Sequence, residues 1–169
     1  MSDDLKHECA VAMVVLRKPV PAEAGDFGGA KLSLLLEKQH NRGQDGAGAA
    51  ILSAHPEPGE SPYWLYKSAS ATPLVDLLAA IGKRPESFRR KERKERKDGE
   101  NGFADSASFA AEYNERVFLG HLRYATFGKN DAAFCHPFVH QASELEHTLL
   151  LAGNFNLTNT DAGKDGGRG

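Results

Sequence analysis

The longest apolar runs in the chain, residues 10–16 (AVAMVVL) and 148–152 (TLLLA), are only as long as a buried β-strand. A membrane-spanning helix needs about 20 apolar residues, so the sequence offers no such span and must build its core from short elements. The β-branched content of residues 10–16 marks a strand. Pro19 and Pro21 stop it, and residues 22–29 read as a glycine-rich, acidic loop. Residues 30–39 set Leu32, Leu35 and Leu36 against Lys31, Glu37 and Lys38, the spacing of a helix with one buried stripe. Asn41, Arg42 and Gly43 end that helix, with the glycine expected to supply a left-handed turn. Residues 46–53 (GAGAAILS) are small and apolar and read as a strand whose glycines admit a close neighbour. A further strand is expected at 63–67 and an amphipathic helix at 71–81.

Residues 87–98 (SFRRKERKERKD) are almost wholly charged and cannot bury enough apolar surface to offset ordering entropy. They read as a solvated helix or a disordered insertion, punctuated by residues 99–102 (GENG). Order is expected to return in a strand at 117–126 that leads into a polar turn, and in a strand at 148–152 that leads into Gly153-Asn154-Phe155-Asn156. Residues 161–169 read as a frayed tail. No internal repeat is visible, and strands and helices are interspersed, which favours one mixed α/β layered domain.

Composition narrows the function. Twenty-three acidic against 21 basic residues leave a net charge of −2, which disfavours a nucleic-acid binder. Two cysteines, Cys9 and Cys135, exclude a disulfide scaffold and any four-cysteine metal or iron–sulfur site. The first eight residues are polar and lack the apolar segment of a secretory signal, so the expected compartment is the cytoplasm.

Four places could carry chemistry. Cys9 stands just before a strand and could be a nucleophile, or simply a half-buried small hydrophobe. The loop 40–48 (HNRGQDGAG) offers a guanidinium, a carboxylate and free backbone amides for orienting a polar site, unless Arg42 merely pairs with Asp45. In 120–126 (GHLRYAT), Arg123 at a strand end could clamp a carboxylate in bidentate fashion, Thr126 could add a hydroxyl, and His121 reads as a satisfied core histidine. In 153–156 (GNFN), an amide side chain and an exposed N–H could build an oxyanion hole. Cys135, His136, His140 and His121 are chemically suited to zinc. Pro137 argues against one helix presenting them, and no metal is expected. Gly163-Lys164 lacks phosphate-loop spacing. The basic run 89–97 reads as a solvated face, with contact to an acidic partner or nucleic acid as its weaker reading.

Four blocks taken in order, KHEC, EKQHNRGQDGAG, HLRYATFGKN and AGNFNLTN, resemble the N-terminal glutaminase domain of amidophosphoribosyltransferase, especially the variant of Bacteroides-like bacteria. That family is a class II glutamine amidotransferase of the N-terminal-nucleophile hydrolase type. The blocks span residues 6–48 and 117–160. The resemblance implies an α+β, four-layer αββα sandwich, incomplete at the C-terminus, in a domain at 9–160 with an insertion at about 83–102 and a leader or propeptide at 1–8. Cys9 would attack the side-chain carboxamide of glutamine, with its freed α-amino group as base. The Asn154 side chain and the Phe155 N–H would hold the oxyanion. Arg123 and Thr126 would hold the substrate carboxylate, and Arg42 and Gly43 would floor the site. No cofactor is implied in this chain. Besides glutamine, a separate phosphoribosyltransferase chain or domain and a second copy of the chain are the partners implied, and no membrane.

Departures from the family pattern are specific. Ala10 and Phe155 replace family glycines, and Gly153 stands where many relatives have histidine. No residue clearly matches the acid that binds the substrate ammonium, leaving Asp161 and Asp165 by default, and the phosphoribosyltransferase domain is absent. These motivate the alternative of a catalytically inactive, truncated relative that binds glutamine or a partner.

Overall fold

Residues 46–53, the small apolar run, form one of two inner strands of a four-stranded antiparallel sheet. The structure is a computed structural model and describes residues 8–18, 20–21, 24–53, 56, 59–91, 112–125, 131–140, 142 and 147–155. Its strands are β1 (Ala10–Val15), β2 (Val20–Pro21), β3 (Gly46–Ser53), β4 (Tyr63–Ser68), β5 (Arg90–Lys91), β6 (Glu112–Tyr113), β7 (Glu115–Arg123), β8 (Phe138–His140) and β9 (Leu149–Leu151). Helices are α1 (Phe27–Glu37), α2 (Pro73–Lys83) and the single turn α3 (Glu86–Arg89), with a 3₁₀ turn at Ala132–Phe134. The main sheet runs β1-β7-β3-β4, a three-stranded sheet runs β2-β6-β5, and β8 pairs with β9. All pairings are antiparallel, and the fold is α+β.

Register sorts the main sheet into two apolar faces. Ala12, Gly120, Ala49 and Tyr66 lie in one cross-strand row, and Val14, Phe118, Ile51 and Trp64 in the next. This face meets Leu32 and Leu36 of α1 and Leu77 and Ile81 of α2, and together these residues form the core. The rows between them, Met13-Leu119-Ala50-Leu65 and Val15-Val117-Leu52-Tyr63, point to the opposite face. There Met13 is 58% exposed, Val15 54% and Leu65 38%.

Helix α1 begins at Phe27, three residues earlier than its apolar stripe predicts. The Asp26 side chain accepts the Gly29 N–H at 3.0 Å and its carbonyl accepts the Ala30 N–H at 2.9 Å, which caps the helix ahead of two glycines. Gly28 belongs inside the helix because α1 crosses β7 closely and a Cβ there would overlap the Phe118 ring, while a Cβ on Gly29 would meet the capping Asp26 carboxylate. Gly43 is not the left-handed stop expected of it. The glycines with positive φ among the described residues are Gly25 and Gly59, whereas Gly43 packs where a Cβ would lie 2.6 Å from the Leu122 carbonyl.

Helix α2 is shifted two residues toward the C-terminus, with Pro73 in its first turn, where a missing N–H costs nothing. Pro21 does not simply end a strand. It sits on the outer strand β2, a position that needs no ladder donor. The charged segment is ordered at its start, as α3 and β5, and β5 pairs with β6. Its remainder, residues 92–98, and the tail 161–169 lie outside the described residues.

A buried ionic knot ties both helices to the sheet. Arg84 follows α2 and binds Asp26 at 2.7 and 2.8 Å and Glu115 Oε2 at 2.6 Å, with a further contact from its Nε to Glu115 Oε1. Burial opposes the Arg84 charge, but the two carboxylates outweigh it and raise its pKa. Among the described residues, no helix is long and apolar enough to cross a membrane.

Candidate functional site

The site grows from the end of the β1–β7 pair. Ala10 pairs with Leu122, so Cys9, one residue earlier, stands beside Arg123 and Tyr124. The Tyr124 N–H donates to Cys9 Sγ at 3.4 Å, and the thiol is half-buried. Arg123 is the last residue of β7 and is buried, its guanidinium carbon 5.9 Å from the centre of the Phe134 ring. Strand alternation puts it on the same face as His121, away from α1 and α2.

Asp45 braces this strand end. Its N–H donates to the Arg123 carbonyl at 3.0 Å, and its Oδ2 accepts the Ala125 N–H at 2.8 Å. The contact between Arg42 and Asp45 that the loop allowed is not made. Arg42 is exposed and instead lies 3.4 Å from Glu8, the residue before the candidate nucleophile.

The glycines of β3 decide what covers this end. A Cβ on Gly48 would overlap the His136 carbonyl, and one on Gly46 would overlap Cys135 Sγ. The segment carrying Cys135 and His136 therefore rests directly on strand backbone. Cys135 is buried with its thiol 3.4 Å from the Ser68 carbonyl, and burial pushes its pKa up.

His136 points the other way, into a ring cluster. It lies 4.4 Å from His121, 4.5 Å from Phe138 and 5.1 Å from Phe155, centre to centre. Its Nδ1 accepts the Gly153 N–H at 3.2 Å, while His121 Nε2 donates to the Gly153 carbonyl at 3.2 Å. Burial first, and then the neighbouring His136, lower the His121 pKa to about 4. His136 is lowered too, chiefly by burial. Both rings are thus neutral at pH 7, and their Gly153 partners fix the proton on Nε2 in each.

His121 is only half the satisfied core histidine expected, because its Nδ1 has no partner among the described residues. Cys135 and His136 diverge, and His140 is exposed on β8. Among the described residues no three His, Cys, Asp or Glu side chains gather as a metal ion needs.

The sequence-derived candidates divide as follows. Cys9, Gly43 and Arg123 meet at the β1–β7 end. Asn154 and Phe155 belong to the loop that His121, on the same strand as Arg123, anchors through Gly153. A Cβ on Gly153 would lie 2.5 Å from the Phe155 ring, so a side chain there needs that ring to move. Arg42 stands at the rim, and Thr126 lies outside the described residues. Sequence reasoning weighed His136 only as a zinc ligand; the signal for its actual place is the pair of glycines at 46 and 48, which need something to fill their space.

Chemically, the arrangement supplies a thiol at the strand end that carries Arg123, and a braced loop bearing an amide side chain. Compared with protein-family models, curated proteins and solved structures, the chain finds no match.

Proposed function

We propose that the chain is a glutamine-hydrolysing domain of the amidophosphoribosyltransferase type. One observation carries the reading: Cys9 Sγ accepts the Tyr124 N–H at 3.4 Å, which sets the candidate nucleophile beside the candidate carboxylate clamp Arg123. The two are 114 residues apart in sequence, from 123 − 9. A second support is that β8 and the Cys135–His136 turn begin a layer over the sheet face opposite the helices, as a four-layer αββα sandwich requires.

In this reading Arg123, with Thr126, binds the α-carboxylate of glutamine through paired N–H donors. The Cys9 sulfur attacks the carboxamide carbon, and its proton passes to the α-amino group of Cys9. The oxyanion is held by the Asn154 side chain and the Phe155 N–H. Collapse expels ammonia, which takes up the proton, and leaves a thioester that water cleaves to glutamate. The ammonia then displaces pyrophosphate from phosphoribosyl pyrophosphate in a separate chain or domain.

The α-amino group exists only once the Glu8–Cys9 bond is cut. Glu8 lies against Arg42 across the rim of the site, and this contact favours a second reading, a glutamine-binding module with an uncut leader. Ammonia release from glutamine by the chain beginning at Cys9 separates the two. Turnover that Cys9→Ala reduces to background is the expected result. Absence of turnover in a folded, leader-free chain excludes the enzyme reading.

A further inference from the structure

One residue of the proposed oxyanion loop is gripped from both sides. The Gly153 N–H donates to Nδ1 of His136, and the Gly153 carbonyl accepts from Nε2 of His121, each at 3.2 Å. The two histidines come from different parts of the fold, His121 from β7 and His136 from the turn ahead of β8. Each bond fixes one of the two peptide planes that meet at Gly153. The second of these planes also carries the N–H of Asn154, so it sets the direction in which the chain leaves toward Asn154 and Phe155. The Phe155 ring then folds back over Gly153 and stacks on His136.

We infer that His121 and His136 are positioning residues, a two-imidazole clamp on Gly153 that aims the Asn154 side chain and the Phe155 N–H at the oxyanion of the glutamine adduct on Cys9. This rests on the proposed glutaminase reading. Neither histidine touches substrate in this scheme. Their bonds are made before glutamine arrives, so the clamp supplies a fixed dipole where charge develops, without reorganisation during the reaction. The chemistry of the clamp is selective. His136 must offer a lone pair at Nδ1, so its ring must be neutral, and His121 must offer a proton at Nε2. The cationic groups facing them, Arg123 and Lys67, disfavour a further charge there.

The test pairs each histidine with a variant that keeps its bond and one that deletes it. Asn at 136 places a carbonyl oxygen near the Nδ1 position, and Gln at 121 places an amide N–H near Nε2. Leu at either position does neither. Two readouts are taken: hydrogen exchange of the Gly153 amide in the full chain, and kcat and KM for glutamine in the leader-free chain. His136→Leu is expected to speed Gly153 exchange and to lower kcat about tenfold or more, with KM within about twofold, as for an interaction made with the transition state. His136→Asn should restore slow exchange and most of kcat. His121→Leu and His121→Gln should differ in the same direction in kcat.

The inference is overturned if the Leu variants keep the wild-type kcat. It is equally overturned if KM rises in step with the fall in kcat, or if folded His136→Asn is as slow as His136→Leu. Where a Leu variant does not fold, the conservative variant alone decides, since it must retain both activity and exchange protection. If the wild-type leader-free chain releases no ammonia, the glutaminase reading fails. The clamp is then judged on exchange alone, and fast exchange of Gly153 in the wild type overturns it.

Discussion

The two faces of the four-stranded sheet are both apolar, yet they are covered by different means. One face offers small residues and Phe118 to α1 and α2, and side chain meets side chain. On the other, the described residues bring polypeptide backbone down on the strand toward its Arg123 end, where Gly46 and Gly48 have no side chains. Further along the same face, Met13, Val15 and Leu65 keep their side chains and stand exposed. Helix-covered surface holds the fold together. Glycine-floored surface admits the turn that carries His136, and with it the loop of Gly153, Asn154 and Phe155. The core and the candidate site are thus divided between the two sides of one sheet.

That division can be broken or sharpened by substitution. The largest effect is expected on the helix-covered face, where Phe118→Ala removes a fully buried ring beneath α1 and should cost about 3–5 kcal/mol in denaturant unfolding. A cost under about 1 kcal/mol would mean that the helices do not close this core.

Next comes acid. The His121 pKa is about 4 in the folded chain against an ordinary 6.5. The unfolded state therefore takes up the proton first as pH falls. The stabilisation is complete above pH 6.5 and is lost between there and about pH 4, amounting to about 3 kcal/mol. Unfolding free energies measured from pH 7 to pH 4 should show this slope, and His121→Gln should flatten it. An equal slope in both proteins would remove the buried imidazole as its source.

The smallest effect is expected on the exposed part of the second face. Met13→Ser there should change stability by no more than about 0.5 kcal/mol. A loss of about 2 kcal/mol or more, or a change in sedimentation, would mean that this surface is covered in solution, and the contrast between the faces would disappear.

Much of the main sheet was legible in the sequence because its strands are short, apolar and bounded by breakers. Residues 46–53 were read with the bounds they have, and Ala10–Val15 and Tyr63–Ser68 each to within one residue. The start of α1 was not legible. Gly28 and Gly29 look like loop, and only the closeness of Phe118 to the first and of the Asp26 carboxylate to the second explains their place in a helix. Strand β8 escaped notice because three residues after a proline carry no period, and the pairing with β9 that defines them is non-local. In the site, Cys9 and Arg123 were visible as residue types suited to the chemistry. The hydrogen bonds of His121 and His136 were not, since they meet on the backbone of Gly153, which has no side chain to announce them.

The Arg84 knot has a consequence for time rather than for equilibrium. Arg84 reaches Asp26 across 58 residues and Glu115 across 31, so it joins three stretches of chain that must already be in place. Contacts of such span close late, after the loop entropy between them has been lost. An interaction formed after the rate-limiting step leaves the folding rate almost untouched and slows the reverse reaction. Arg84→Met is thus expected to speed unfolding more than it slows folding, shortening the time the two helices stay against the sheet once they have met it, as stopped-flow kinetics would show.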